Sequence, residues 1–337
     1  MPARIQDVAR AAGVSTATVS RSLRGLPNVS SHTRTAVSKA AQDLGYVVSR
    51  SASTLASGRT LTVAVITPYV GRWFFAQAIE AVERVLRASG FDALLVGVGH
   101  PSDGVRPSFE PETLRGRVDA VVVLTVPLTG RELDGLRALE MPTLFVGAAV
   151  AGAMSVRIDD VAVGRTATQH LIELGHRKIA HLGGDPTEPL HFSAPSDRRA
   201  GWMSAMRAAG LAPVPAYDVP GLFTADGGRA AMDQLLDLAD PPTGVFADSD
   251  EMALGALAAI RARGLQVPQD VSVVGVDGHE LAGMAGLTTV EQPVDAQGAL
   301  AARMVLMAVA GDDVHRHEHA LMPVRLVRRT STSAPRS

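Results

Sequence analysis

Residues 5–23 read IQDVARAAGVSTATVSRSL, and this stretch decides how the front of the chain folds. Ile5, Val8, Ala9 and Ala12 recur at helical spacing and give one apolar face over two turns. Gly13 permits the tight turn that ends such a helix. Val14 can then plug the space between helices, and Ser15 stands where an N-cap belongs. Val19 and Leu23 supply the apolar face of a second helix. A third is expected from about Ser30, with Val37, Ala40, Ala41 and Leu44 inward and Gly45 as its stop. Three short helices with a glycine turn between the first two make a helix-turn-helix unit, although any three-helix bundle shares this periodicity.

The charge distribution singles out the same region. Residues 1–60 hold Arg4, Arg10, Arg21, Arg24, Arg34, Lys39, Arg50 and Arg59 against only Asp7 and Asp43, while the whole chain carries a net −2. A basic head on an acidic body suits a polyanionic partner for the head alone. Charge by itself also fits a basic helical cap that binds nothing. The 337 residues suffice for two or three domains, and 46% hydrophobic with 20% charged residues is ordinary for a soluble protein. There is no cysteine, which excludes disulfides and thiolate chemistry. The charged first thirty residues do not read as a signal peptide. No run of eighteen apolar residues occurs, so no membrane partner is expected and the cytoplasm is the expected location.

Ile5-Gln6-Asp7-Val8-Ala9, Ala12-Gly13-Val14-Ser15, Ala17-Thr18-Val19-Ser20-Arg21 and Leu44-Gly45-Tyr46 closely resemble the head of the lactose-repressor (LacI/GalR) family. Arg4 stands where members of that family often place a capping Thr. In this geometry the second helix enters the major groove with its N-terminal residues against base edges. The methyl groups of Thr16 and Ala17 suit a thymine methyl, and Arg21 suits guanine O6 and N7. The resemblance further implies that Asn28, Ser30 and Thr33 lie along the phosphate backbone. The expected partner is double-stranded operator DNA, read by a homodimer.

Residues 47–60 form the expected hinge or linker after a head of residues 1–46. Four serines and Gly58 suggest flexibility, yet Ala52, Leu55 and Ala56 share one helical face. The stretch resembles the family's hinge helix, which implies that Leu55 wedges into a minor-groove base step with Ala52 packed beside it. A disordered tether with Leu55 packed on the body is the alternative.

From Leu61 the pattern changes. β-Branched runs at 61–67, 94–98, 118–126, 143–146, 178–182, 244–247 and 271–276 alternate with helical stretches at 75–88, 161–174, 199–209, 228–238 and 252–263. Such alternation means α/β architecture, with parallel sheets covered by helices and ligands at the carboxyl ends of strands. Trp73, Phe74 and Phe75 follow the first run in a chain with 4% aromatics, and their faces suit sugar rings or planar bases. Asp248-Ser249-Asp250 and Asp277 follow later runs, with Asp250 expected as a helix cap.

Further segments extend the resemblance over nearly the whole chain. They are His170-Leu171-Ile172-Glu173-Leu174-Gly175-His176, Ser249-Asp250-Glu251-Met252-Ala253 and Val267-Pro268-Gln269-Asp270-Val271-Ser272-Val273-Val274-Gly275. The resemblance implies a two-lobed, periplasmic-binding-protein-like body with two doubly wound parallel sheets. It spans residues 61–330, with lobe one at about 61–157 and 293–326, lobe two at about 158–292, and a tail at 331–337. It also implies that Phe74, Arg198, Phe223, Ser249 and Asp277, with Trp73, contact a sugar-like effector, Arg198 and Asp277 gripping it from opposite lobes. Gly147 falls where several members carry an acidic ligand contact.

No dinucleotide fingerprint, phosphate loop, zinc-protease helix or nucleophile elbow is present. No cofactor is expected. His315, His317 and His319 alternate, which on a strand would place them on one face for a metal or, equally, along a solvated edge. A transport binding protein with the same body, or an enzyme on a doubly wound sheet, are the competing readings. The basic head and the lack of a nucleophile–base pair weigh against them, leaving a ligand-responsive transcriptional repressor as the expectation.

Overall fold

The computed structural model describes residues 3–23, 27–46, 59–98, 109–126, 128–184, 193–311 and 318–336. The chain divides into two compact units, Met1–Leu61 and Thr62–Ser337. The expected hinge positions Ala52 and Leu55 lie outside the described residues, as do His315 and His317.

The first unit holds α1 (Ile5–Ala12), α2 (Thr16–Leu23) and α3 (Ser31–Asp43). Val8, Val19 and Val37 are fully buried at their junction, with Ala9, Ala40 and Ala41 around them. Gly13 takes φ 65°, a left-handed conformation that costs glycine nothing, and closes α1. Arg4 has no side-chain acceptor to cap α1, and the Asp7 carboxylate instead accepts the Arg4 backbone N–H at 2.9 Å. Leu44, expected inside, is 41% exposed. The helix has ended at Asp43, and Tyr46 packs against the core instead.

The second unit contains two six-stranded sheets. One holds β1 (Thr62–Thr67), β2 (Asp92–Gly97), β3 (Ala120–Leu124), β4 (Thr143–Val146), β5 (Met154–Arg157) and β11 (His319–Leu321), ordered β11-β5-β4-β3-β1-β2, all parallel. The other holds β6 (Ile179–Gly183), β7 (Asp218–Pro220), β8 (Gly244–Ala247), β9 (Ser272–Asp277), β10 (Thr288–Glu291) and β12 (Arg325–Val327), ordered β12-β10-β9-β8-β6-β7. Only β12 runs antiparallel, along β10. Runs such as AVVVL in β3 are buried on both faces, as parallel sheets require.

Helices α4 (Trp73–Ala88) and α11 (Val294–Val309) cover one face of the first sheet, and α5 (Gly130–Arg137) helps cover the other. The second sheet lies between α6 (Asp160–Glu173) with α7 (Ser193–Ala208), and α8 (Ala225–Leu236) with α9 (Asp250–Ala262) and α10 (Glu280–Ala285). Helix α7 begins six residues before the expected 199, which brings Arg198 inside the helix. Where α6 meets α7 the backbones nearly touch: a Cβ at Gly164 would lie 2.0 Å from the Arg198 carbonyl oxygen.

Both sheets share one strand order, and in each the order reverses once, between β1 and β3 and between β6 and β8. Such switch points open a crevice at the carboxyl ends of the strands. The chain crosses between lobes after β5, after β10 and between β11 and β12. The third crossing corrects the expected end of lobe one at 326, because β12 fills the β10 edge of the second sheet. Residues 331–336 likewise belong to lobe two. Ser331 exchanges bonds with Val273 (Val273 N–H to Ser331 O, 2.9 Å; Ser331 hydroxyl to Val273 O, 2.6 Å), and His176 Nε2 pairs with the Ser333 carbonyl at 2.9 Å.

Candidate functional site

A cavity of about 750 Å³ opens between the lobes at the two switch points. Lobe one contributes Tyr69, Arg72, Trp73, Phe74 and Phe75 from the β1–α4 connection, Thr125 after β3 and Gly147 after β4. Lobe two contributes Asp160, His181, Arg198, Arg199, Asp218, Phe223, Ser249, Glu251 and Asp277, the β10–α11 crossover adds Gln292, and α11 adds Gln297. All six residues expected to face an effector, Trp73, Phe74, Arg198, Phe223, Ser249 and Asp277, line this one space.

The lobe-one wall is aromatic. Phe74 and Phe75 meet edge to face at 5.3 Å, and Tyr69 tilts against Phe75 at 5.4 Å. The Arg72 guanidinium lies 4.1 Å from the Tyr69 ring centre and donates across the cleft to the Phe223 carbonyl at 3.3 Å. Trp73 stacks on His279 of the opposite lobe, centroids 5.0 Å apart. Gly147 takes φ 83°, and a Cβ there would strike the Thr125 methyl at 2.7 Å. The Thr125 hydroxyl is buried without a partner, so a donor–acceptor stands where the resemblance led one to look for an acid.

The lobe-two wall is charged. Arg198 is buried, donates from Nε to Asp160 at 2.8 Å and from a terminal nitrogen to the Asp248 carbonyl. Arg198 stands on α7 and Asp277 ends β9, so both belong to lobe two and do not grip from opposite lobes. The link to lobe one runs through amides: Gln297 on α11 donates to Gln292 at 3.0 Å, and Gln292 donates to Asp277 at 2.6 Å. Burial pushes the Asp277 carboxyl up to about 7 despite Arg198 nearby. Ser249, not Asp250, caps α9, accepting the Met252 N–H at 3.2 Å. Asp250 turns instead to the loop after β9 and accepts the Gly278 and His279 N–H groups at 2.9 and 2.7 Å. Burial and neighbouring Asp277 raise it to about 8.

His181 is 1% exposed. Its Nδ1 lies 2.9 Å from Asp218 and its Nε2 3.0 Å from Asp248. Burial pulls the imidazole down, but the two carboxylates outweigh it and hold the ring at about 9. Backbone strain gathers here too. Thr125, Leu222, Phe223 and Asp277 all have positive φ, and all line the cavity. Conformations of this kind persist where the surroundings over-determine them, often at ligand sites.

In the first unit, Thr16, Ala17 and Arg21 are exposed on α2, opposite buried Val19 and Ser22. Ser15 caps this helix by accepting the Thr18 N–H at 3.1 Å. Asn28 is exposed at φ 68°, a conformation asparagine tolerates. Ser30 caps α3 through the Thr33 N–H at 3.1 Å, and the two hydroxyls lie 2.8 Å apart. His319 stands on β11, where Nδ1 meets the Ser155 hydroxyl at 2.8 Å.

Two family descriptions match the chain: "Bacterial regulatory proteins, lacI family" over residues 4–49 and "Periplasmic binding protein-like domain" over residues 168–332. The HTH-type transcriptional repressor CytR of Escherichia coli (strain K12) is 33% identical over 342 residues, covering 98% of this chain and 97% of that protein. The chain belongs to the lacI family of bacterial regulatory proteins. It is thereby a DNA-binding transcriptional regulator. Among solved structures, the Lac repressor dimer bound to operator and the anti-inducer ONPF superposes with TM-score 0.86 at 29% identity, covering 99% and 100% of the two chains. The CelR–cellobiose complex gives TM-score 0.70 at 33% identity, covering 98% and 99%.

In this lacI-family body, several cavity residues escape sequence reading. Gly147 was singled out by the resemblance, whereas Thr125 lay inside the run 118–126 read as strand and faces the cavity because β3 ends at Leu124. Asp160, His181, Asp218, Gln292 and Gln297 carry no local signal, since each takes its role from a partner distant in sequence.

Proposed function

We propose that the chain is a ligand-controlled repressor that works as a homodimer in the cytoplasm, without enzymatic activity. The α2 surface carrying Thr16, Ala17 and Arg21 reads bases in the major groove. Asn28, Ser30 and Thr33 sit on phosphates, and Leu55 and Ala52 serve the minor groove. A sugar-like effector occupies the interlobe cavity, its ring against Trp73 and Phe74 and its hydroxyls on Arg198, Asp277 and Ser249, with Phe223 closing one side. The single observation that carries this reading is the convergence of those six side chains on one cavity at both switch points. The relatives support it: one solved relative is a dimer on operator, and another is a cellobiose complex. Among the described residues no helix is long and apolar enough to cross a membrane.

Selection from a DNA library by the purified full chain tests the proposal. A pseudo-palindromic site is expected, with half-sites about one helical turn apart. Arg21→Ala is expected to lose about 1–3 kcal/mol and relax choice at one base pair. Enrichment of no sequence, with and without a sugar panel, would contradict it.

A further inference from the structure

A short chain of buried amides joins the charged wall of lobe two to helix α11 of lobe one. Asp277, the last residue of β9, is its lobe-two end. Gln292 directly follows β10, and Gln297 stands in the first turn of α11, so the chain tracks the second crossing between the lobes. Gln297 Nε2 donates to Gln292 Oε1 at 3.0 Å, and Gln292 Nε2 donates to the Asp277 carboxyl at 2.6 Å. All three residues are buried. Apolar side chains of like volume would fill this space without needing any partner.

The backbone around the chain is fixed. The Gln292 N–H donates to the Asp277 carbonyl at 3.2 Å, and the Gln297 N–H donates to the Pro293 carbonyl at 2.9 Å. At the next residue, Gly298, a Cβ would lie 2.7 Å from the Ala78 carbonyl oxygen, so α11 is pressed against α4. What stays free is the direction of the hydrogen bonds. A glutamine amide accepts through its oxygen and donates through its nitrogen, and the two groups are nearly equal in size. Turning both amides over leaves every heavy-atom distance in place. Turning only one sets like atom against like atom and leaves buried groups unbonded. The chain therefore has two satisfied arrangements.

One arrangement needs Asp277 as an acceptor, and the other needs it as a donor. Asp277 can supply either near neutral pH, because its carboxyl stands at about 7. Burial, Glu251 on α9 and Asp160 on α6 keep the proton on, while Arg198 on α7 and the Gln292 amide draw it off. Asp250 on α9 faces it as well. Gln297 lines the cavity, and among the described residues its Oε1 has no partner. We infer that Gln297 is a specificity-determining residue whose polarity is set from the opposite lobe: when Asp277 accepts, Gln297 offers the cavity an oxygen, and when Asp277 donates, both amides turn over and it offers a nitrogen. The two walls of the cavity thus change character together, and a ligand is selected by its match to both at once.

Nuclear magnetic resonance on the full chain, with isotope-labelled glutamine amides and aspartate carboxyls and no ligand added, tests this between about pH 6 and about pH 8.5. The two amide signals are assigned by their loss in Gln292→Met and Gln297→Met. Both are expected to move with one shared midpoint, that of the Asp277 carboxyl. In Asp277→Asn, which keeps the side-chain shape, both should stay still. Gln292→Met removes the middle of the relay. There Asp277 should still titrate while Gln297 stops responding, a loss that a charge felt through space does not produce. Should Gln292→Met fail to fold, Asp277→Asn decides alone. Gln297 signals that ignore pH in the wild type, or still follow it in either variant, would overturn the inference. So would separate midpoints for the two amides.

Discussion

The two lobes share one strand order and meet the same cavity with opposite chemistry. Lobe one presents aromatic rings on the β1–α4 connection, while lobe two presents a buried set of carboxylates, guanidinium groups and an imidazole. The titration of the molecule divides the same way. Among the described residues, every group clearly displaced from its ordinary value lies between His170 and His279, in lobe two. Identical topology therefore does not dictate site chemistry. The fold supplies two crevices, and the loops decide that one stacks while the other bonds. Stacking tolerates small displacements, whereas a buried charge without its partner is costly, so lobe two should be the more sensitive to substitution.

The largest effect is expected from Arg198→Ala. It strips the partner from buried Asp160 and a donor from the Asp248 carbonyl, and should destabilise the body by about 3–5 kcal/mol, read as a fall in its thermal midpoint. A loss no larger than that of a lobe-one aromatic would erase the contrast between the lobes. Gly164→Ala comes next. In an ordinary helix this change gains about 1 kcal/mol. Here the added methyl meets the Arg198 carbonyl, so a loss of about 1–3 kcal/mol is expected. Urea denaturation that showed a gain would mean the α6–α7 contact is looser than described.

Trp73→Ala is the lobe-one counterpart. It removes the cross-cleft stack on His279 and should cost about 0.5–1.5 kcal/mol beyond lost burial, with a larger effect on sugar affinity than on the thermal midpoint. A last effect, again in lobe two, is one of pH. Asp277, Asp250 and His181 hold their protons more tightly folded than unfolded, at about 7, 8 and 9. Their contribution is complete below the unfolded values and is lost as pH rises through the folded ones. The thermal midpoint of the body should thus decline from pH 7 to pH 9. A midpoint that rises over this interval would show that these groups are not buried as described.

Legibility in the sequence follows the same division. Trp73-Phe74-Phe75, Ser249 and Asp277 were readable because each follows a β-branched run, and strand ends are where ligands bind. The strands 143–146 and 244–247 were readable to the residue. By contrast, β5 reads MSVR and β7 reads DVP, too short and too polar to stand out from loops. The expected bounds of lobe two already held both Arg198 and Asp277, so the grip from opposite lobes was at odds with them, and the structure keeps the bounds. The roles of Asp160 and His181 exist only through contacts made across 37 or more positions. In the head, short-range signals sufficed for Gly13, Ser15 and Ser30, and Leu44 misled because one apolar residue more was counted than the helix holds.

In the function proposed above, the head binds DNA and the cavity controls it. Fluorescence anisotropy on the library-selected DNA site, titrated with the tightest-binding sugar, tests it most directly in wild type and Asp277→Asn. The sugar is expected to change the wild-type Kd for DNA, whereas Asp277→Asn binds DNA equally well without sugar and fails to respond to it. A wild-type Kd indifferent to sugar, or an Asp277→Asn variant that responds as wild type does, would show that the cavity does not control the head.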